Sequence, residues 1–169
     1  MPCFRNARRV AAYLAADGEL DPMPLVERAW AMGKTVYLPV LLPVGARRLW
    51  FAPWEPDDLL LRNRYGIPEP AHAAWTRVSP HSLDLVLTPL VGFDDQGHRL
   101  GMGGGYYDRT FAFLRTHRYW RHPHLIGLAY ECQRVDTLRP APWDVPLEGV
   151  VTEANWYPSP TARDPRNRK

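Results

Sequence analysis

Cysteine is nearly missing from this sequence: Cys3 and Cys132 are the only two in 169 residues. They offer no disulfide framework and give no reason to place the chain in an oxidising compartment. No apolar run approaches the roughly 20 residues that span a bilayer. The opening Met-Pro-Cys-Phe-Arg also lacks the basic-then-apolar layout of a signal peptide. These gaps lead to the expectation of a soluble, cytoplasmic protein with no membrane partner. Internal repeats are absent as well, and so is any Ser-His-Asp or Cys-His arrangement that would support nucleophilic catalysis. His117, His122 and His124 lie close together, but their spacing matches no zinc pattern. They are expected to be surface histidines of a loop, and no transition metal is assigned.

Excess charge is mild. The net charge is +3 and the isoelectric point is near 9.0, with much of the excess in Arg5, Arg8, Arg9 and the closing stretch from Arg163 to Lys169. A terminal run of this kind reads as a solvated tail. Its functional reading is steering of anionic ligands such as phosphates or a polyglutamate. A nucleic-acid partner is not expected, because no recognised reading motif accompanies the arginines.

What is present suffices for one core. With 46% hydrophobic residues the chain suits a single domain and is too short for two ordinary ones. Residues 10–14 read as a short buried strand. Asp21-Pro22 then supplies a helix cap followed by proline at the first helical position. Leu25, Val26, Ala29 and Trp30 give that helix an apolar face, and Gly33 stands where it ends. Residues 35–39 read as the next strand. The order recurs, with residues 83–88 strand-like, 107–115 helix-like and 125–129 strand-like. Such alternation predicts an α/β fold with a mostly parallel central sheet covered by helices. Residues 49–52 are expected to be an edge strand and 53–80 a proline-punctuated surface loop. The single domain is expected over residues 1–157, with a disordered tail over 158–169.

The sharpest feature is Arg99-Leu100-Gly101-Met102-Gly103-Gly104-Gly105-Tyr106-Tyr107-Asp108-Arg109, between a predicted strand and a predicted helix. Glycines in this density are costly to order and permit close backbone approach to a ligand. Consecutive amides ending at a helix N-terminus form a natural phosphate cradle. Arg99 could add a bidentate phosphate contact, and Asp108 could hold a magnesium ion. The competing reading is a tight turn with Asp108 as an ordinary N-terminal helix carboxylate. The spacing fails the dinucleotide fingerprint, because position 106 is tyrosine, and fails the P-loop pattern, because no Gly-Lys-Ser/Thr appears.

At these residues the sequence resembles the 5-formyltetrahydrofolate cyclo-ligases, also called methenyltetrahydrofolate synthetases. The stretch from Arg99 to Arg109 is similar to that family's signature. The resemblance runs from about Val10 to Glu153. It takes in Tyr13-Leu14 with Glu19, Gly33-Lys34 before Leu38-Pro39, Gly66-Ile67-Pro68-Glu69-Pro70, Asp84 to Pro89, Gly127-Leu128-Ala129-Tyr130 with Gln133, and Val151-Thr152-Glu153.

The resemblance implies a three-layer, Rossmann-like fold with helices on both faces. It also implies the ATP- and magnesium-dependent conversion of 5-formyltetrahydrofolate, possibly polyglutamylated, to 5,10-methenyltetrahydrofolate, ADP and phosphate. The formyl oxygen would be phosphorylated and then displaced by N10. Carried over residue by residue, Arg99, Leu100, Gly101, Met102, Gly103, Gly104, Gly105, Tyr106 and Tyr107 are implied to bind ATP. Arg99, Tyr106 and Asp108 are implied to be catalytic, Asp108 and Asp144 to hold Mg2+, and Leu14, Glu19, Tyr65 and Tyr106 to contact the folate. Trp143 stands where the family usually has a histidine before the second aspartate. Relatives usually begin some tens of residues earlier with a basic helix that touches ATP phosphates. This chain is expected to lack that helix and to offer Arg5, Arg8 and Arg9 in its place. A monomer is expected. The alternatives are a non-catalytic folate- or nucleotide-binding relative and, third, an arginine-based nucleic-acid binder.

Overall fold

The computed structural model describes residues 1–42, 47–116 and 122–160. In chain order its elements are α1 (Pro2–Asn6), β1 (Arg9–Ala11), α2 (Met23–Ala31), β2 (Thr35–Leu41), β3 (Leu49–Pro53), β4 (Leu60–Arg62), β5 (Pro68–Pro70) and α3 (Ala73–Thr76). Then come β6 (Leu85–Pro89), β7 (Gly92–Phe93), β8 (Arg99–Leu100), α4 (Tyr106–Phe111), α5 (Phe113–Thr116), β9 (His124–Leu128), β10 (Gly149–Val151) and β11 (Trp156–Pro158). Among the described residues, seven strands form one sheet in the order β11-β10-β9-β6-β1-β2-β3. The two outermost pairs, β2 with β3 and β10 with β11, are antiparallel, and the inner pairs are parallel.

Alternate residues of the inner strands feed two cores. Leu85 and Leu87 of β6 and Ile126 and Leu128 of β9 pack on one face with Phe4 of α1 and Val26 and Ala29 of α2. Val86 and Leu125 pack on the other with Phe51 of β3 and Phe111 of α4. Strands covered on both faces must be apolar throughout, which is why these runs do not alternate with polar residues. Three layers follow. Emptying one such position, as in Leu87→Ala, costs about 2 to 5 kcal/mol.

Local chemistry sets the ends of α2. The Met23 amide donates to Asp21 Oδ1 at 2.9 Å, so the helix opens one residue after the expected proline start. The chain leaves it through Gly33 at φ +69°, a left-handed exit that glycine makes without strain. Lys34 Nζ then donates to the Arg5 and Ala7 carbonyls at 2.8 and 2.6 Å, closing the C-terminal end of α1, an element the sequence did not reveal.

Other expectations change. The helix expected over 107–115 starts at Tyr106 and is interrupted at Ala112, giving α4 and α5. The expected surface loop over 53–80 contains the β4–β5 hairpin and α3. The expected tail begins inside β11, which pairs with β10, and the buried Ser159 donates to the Gln96 carbonyl at 2.7 Å. Residues 161–169 lie outside the described residues, as does His117. His124 lies in β9 rather than in a loop, with Nδ1 2.7 Å from Glu148 Oε2. No helix among the described residues is long and apolar enough to cross a membrane.

From β1 the chain winds outward to β2 and β3, whereas from β6 it winds the other way to β9 and β10. The strand order therefore reverses between β1 and β6. The crevice beyond the C-terminal ends of two such strands is where open α/β sheets bind ligands.

Candidate active site

The segments leaving β1 and β6 meet at that crevice. After β6 the chain forms the β7–β8 hairpin, pairing Gly92 with Leu100 and Phe93 with Arg99, and then passes through the glycine loop into α4. Gly103 and Gly105 have φ of +80° and +60°, values that disfavour any side chain. Gly101 differs. Its φ is ordinary, and a Cβ built there meets nothing within 4 Å. Neither backbone conformation nor packing within the chain explains glycine at that position.

Arg99 and Asp108 bracket the loop and hold its two ends together. Arg99 Nη2 donates to Asp108 Oδ1 at 2.6 Å, and its Nη1 donates to the Val145 carbonyl at 2.5 Å. The Val145 amide in turn donates to the same Asp108 oxygen at 3.0 Å. The Arg99 side chain is 8% exposed and that of Asp108 21%, so most of this ion pair is shielded from water. Both terminal nitrogens of Arg99 thus engage protein groups. Asp144, next along from Val145, closes its own turn by accepting from the Ala141 amide at 2.8 Å.

Among the described residues, no group of three or more His, Cys, Asp or Glu side chains could hold a metal. Magnesium bound with a nucleotide commonly uses only one or two carboxylates, the remaining ligands being phosphate oxygens and water. The donor chemistry of Asp108 and Asp144 fits that set. All described contacts of Asp108 fall on Oδ1.

The segment after β1 carries Leu14 and Glu19. Tyr13 donates to the Leu20 carbonyl at 2.5 Å, and Glu19 Oε2 accepts from the Ala16 amide at 3.1 Å, so the turn carrying Glu19 is braced at two points. Leu14 packs against the first core. Burial pushes the Glu19 carboxyl up and the charge of Asp17 adds to this, while the Ala16 amide opposes it. The hydroxyl of Tyr107 is pushed up by burial and then by the charge of Glu19, with Arg99 pulling the other way. Tyr13 is raised by burial and by Glu19 as well. The Glu19 charge therefore acts on both Tyr13 and Tyr107.

Tyr106, the first residue of α4, donates its hydroxyl to that of Tyr65 at 3.2 Å. Tyr65 is 58% exposed and rides on the β4–β5 hairpin. Asn63 Oδ1 accepts from the amides of Tyr65 and Ile67 at 2.9 and 3.1 Å, and Asn63 Nδ2 donates to Glu69 Oε1 at 2.7 Å. Glu69 also accepts from the Leu41 amide at 2.9 Å. Asn63 and the Gly66 to Pro70 motif thereby build a bracket that holds Tyr65 within reach of Tyr106.

Arg109 and Gln133, inside the sequence motifs, and Asp94, just ahead of the glycine-rich stretch, had no assigned role. Arg109 donates from Nη2 to the Gly104 carbonyl and from Nε to the Arg47 carbonyl at 3.1 Å, so it clamps the glycine loop from outside. Asp94, 1% exposed, accepts from the Gln96 and His98 amides, each at 3.0 Å, and from Leu138 at 2.9 Å, with His98 Nδ1 also at 2.9 Å. Burial works against its charge, yet these donors hold its carboxyl below the usual range. Gln133 donates to the Leu90 carbonyl at 2.8 Å and fixes the exit from β6. Polar residues were the available signal, but the partners Arg47, Leu138 and Leu90 lie 62, 44 and 43 residues away.

A profile of the 5-formyltetrahydrofolate cyclo-ligase family matches residues 1–153. The chain is 45% identical over 148 residues to a 5-formyltetrahydrofolate cyclo-ligase of Escherichia coli K12, covering 86% of this chain and 78% of that one. It is 42% identical over 149 residues to the Haemophilus influenzae protein of the same name, covering 87% and 76%. An NMR structure of Aquifex aeolicus 5,10-methenyltetrahydrofolate synthetase superposes with a TM-score of 0.76 at 32% identity, over 100% of this chain and 79% of that one. With the signature loop at the switch point of the same fold, this chain belongs to the 5-formyltetrahydrofolate cyclo-ligase family.

Proposed function

We propose that this chain converts 5-formyltetrahydrofolate to 5,10-methenyltetrahydrofolate at the expense of ATP, with magnesium as cofactor, and that it acts on polyglutamylated folates as well. The observation that carries the reading is Gly101. A glycine that neither dihedral angle nor packing requires is accounted for by a ligand that must approach the backbone, and phosphate at a glycine loop is such a ligand.

The chemistry suits these residues. A formyl amide is a weak electrophile whose oxygen is a poor leaving group. When that oxygen attacks the γ-phosphorus of ATP, an O–P bond forms and the β–γ bridging bond breaks, releasing ADP. N10 then attacks the activated carbon and loses its proton, and the C–O bond breaks to release phosphate. Such a sequence depends on positioning and charge stabilisation more than on a protein nucleophile. Glu19 would accept hydrogen bonds from the pterin ring, and Tyr65 and Tyr106 would flank the flat part of the folate. The loop over 101–105 would cradle the phosphates, with Arg99 and Asp108 fixing its ends. Bound Mg2+, held by Asp108 and Asp144, would supply neutralisation of phosphate charge. The cytoplasmic location and monomeric state expected from the sequence belong to the same proposal.

Asp108→Asn tests the site. An amide is a poorer magnesium ligand and leaves Arg99 without its counter-charge. Formation of methenyltetrahydrofolate, followed by absorbance, is expected to fall at least about a hundredfold, or roughly 2.7 kcal/mol of transition-state stabilisation. Turnover equal to the parent at limiting magnesium would overturn the metal assignment.

A further inference from the structure

Arg109 is exposed on α4, yet it is tied to the backbone rather than to a counter-charge. Its Nη2 donates to the Gly104 carbonyl, its Nε to the Arg47 carbonyl at 3.1 Å, and its own amide to the Gly105 carbonyl at 3.1 Å. It pairs with no carboxylate among the described residues. The open cleft of about 340 Å3 that it borders, with Arg48, Ser79 and His81 among the walls, is lined by no aspartate or glutamate that could draw the guanidinium away. The loop is shaped to this contact. A Cβ on Gly105 would come to 3.0 Å from Arg109 Nη1 and 3.2 Å from Nη2. One on Gly104 would come to 3.0 Å from the Tyr106 ring, whose centre lies 5.9 Å from the guanidinium carbon.

The contact fixes more than the place of the loop. In a trans peptide the carbonyl of one residue and the amide of the next point in opposite directions. The Gly104–Gly105 bond is trans, so a Gly104 carbonyl turned toward Arg109 leaves the Gly105 N–H turned away from it. That N–H donates to no protein group among the described residues. With glycine on both sides, the peptide plane can rotate by about 180°, through ψ of Gly104 and φ of Gly105, without a side chain to obstruct it. Rotated, it would present a carbonyl oxygen where the N–H stood. An arriving oxyanion would then meet the negative end of a dipole instead of a donor.

Resting on the nucleotide reading of this loop, we propose that Arg109 is a positioning residue: its hold on the Gly104 carbonyl selects the peptide orientation in which the Gly105 amide is offered to a phosphate oxygen of ATP. Arg109 itself touches no reacting atom. It acts by raising the fraction of molecules already competent to bind, and the observed dissociation constant scales inversely with that fraction. Removing a hydrogen bond from a charged donor shifts such an equilibrium by roughly ten- to a hundredfold. The same contact accounts for glycine at 104 and 105, whereas Gly101 answers to the ligand alone.

Three measurements on the whole chain and on Arg109→Met and Arg109→Lys test this. They are calorimetric titration with ATP and magnesium and, separately, with 5-formyltetrahydrofolate; turnover; and the amide-to-α-proton coupling of Gly105 without ligand, which follows its φ of +60°. Methionine keeps an unbranched stem without donors, and lysine restores one charged donor. Arg109→Met is expected to change the Gly105 coupling, to weaken ATP at least about tenfold while folate affinity stays within about twofold, and to raise the ATP KM by more than it lowers kcat. Lysine should recover part of the ATP affinity. Unaltered ATP affinity in Arg109→Met overturns the proposal, as does an equal loss for folate or a lysine variant no better than methionine. Should Arg109→Met fail to fold, Arg109→Leu, another donor-free residue that suits a helix, takes its place with the same expectations. A parent that binds no ATP removes the proposed reaction and leaves the orientation to the Gly105 coupling. A coupling unchanged in Arg109→Met then overturns the proposal, and a changed one supports it.

Discussion

Two glycine-bearing turns flank β8, and the protein treats them in opposite ways. In the turn before β8, the four donors to Asp94 draw the backbone inward. Gly97 sits there at φ +83°, and a Cβ built on it would come within 2.8 Å of the Leu147 carbonyl oxygen and would also strike Ser159. In the loop after β8, Gly101 and Gly103 face open space. The first turn needs glycine to fold. The second is open where the chain's own atoms do not fill it, which is the property a ligand requires. Glycine density alone does not separate these cases; the surroundings of each missing Cβ do.

The largest effect should come from filling the closed turn. Gly97→Val places a β-branched residue in left-handed backbone and against Leu147 and Ser159. It should cost about 2 to 5 kcal/mol and lower the melting temperature by roughly 5 to 15 °C. A melting temperature within a degree or two of the parent would break the contrast at its firm end.

Asp94→Asn attacks the same turn through its charge. Hydrogen bonds to an ionised group are worth about 1.5 to 3 kcal/mol, so a loss of about that size is expected at neutral pH. The folded-state carboxyl is depressed, so its contribution is present above the unfolded value of about 4 and disappears as pH falls through the lower folded value. Parent and variant melting curves should therefore converge on acidification. Parallel curves down to pH 2 would assign the stabilisation to something other than this carboxylate.

Gly101→Val probes the open loop. Melting should barely change, because the backbone angle is ordinary and the space is free. ATP affinity should fall by at least about tenfold, or roughly 1.4 kcal/mol. A variant with unaltered ATP affinity would remove the cradle, and one that unfolds would erase the distinction between the two turns.

The smallest effect belongs to Glu19→Gln. A half-buried carboxyl with a raised folded value lowers stability once it ionises, so the penalty exists at neutral pH and vanishes below the unfolded value of about 4.3. The glutamine variant should melt slightly higher at pH 7, match the parent near pH 4, and show a raised KM for folate more than for ATP. Lower stability at pH 7 with equal changes in both KM values would make Glu19 a structural residue.

Much of the sheet was legible because β6 and β9 are buried on both faces and leave continuous apolar runs at 85–87 and 125–128. The three-residue strands β4 and β5 were not, since Pro68 and Pro70 read as punctuation and their pairing depends on Asn63 and Glu69 closing the turn. Helix α4 was visible, but the break at Ala112 carried no glycine or proline to mark it. At the site, glycine density and flanking charges singled out residues 99–108. The partners of those charges were hidden, because Arg99 meets Val145 across 46 residues and Arg109 meets Arg47 across 62. The pocket lined by Arg48, Ser79, His81 and Arg109 was hidden for the same reason, being assembled from residues near 48, 80 and 110 that no local pattern connects.

The most direct measurement of the central claim counts ADP and methenyltetrahydrofolate in the same reaction of the 169-residue chain, with magnesium present and omitted. The account predicts one ADP for each ring closed, with neither product accumulating when magnesium is withheld. Methenyltetrahydrofolate formed without ADP, or ADP released without ring closure, would contradict it.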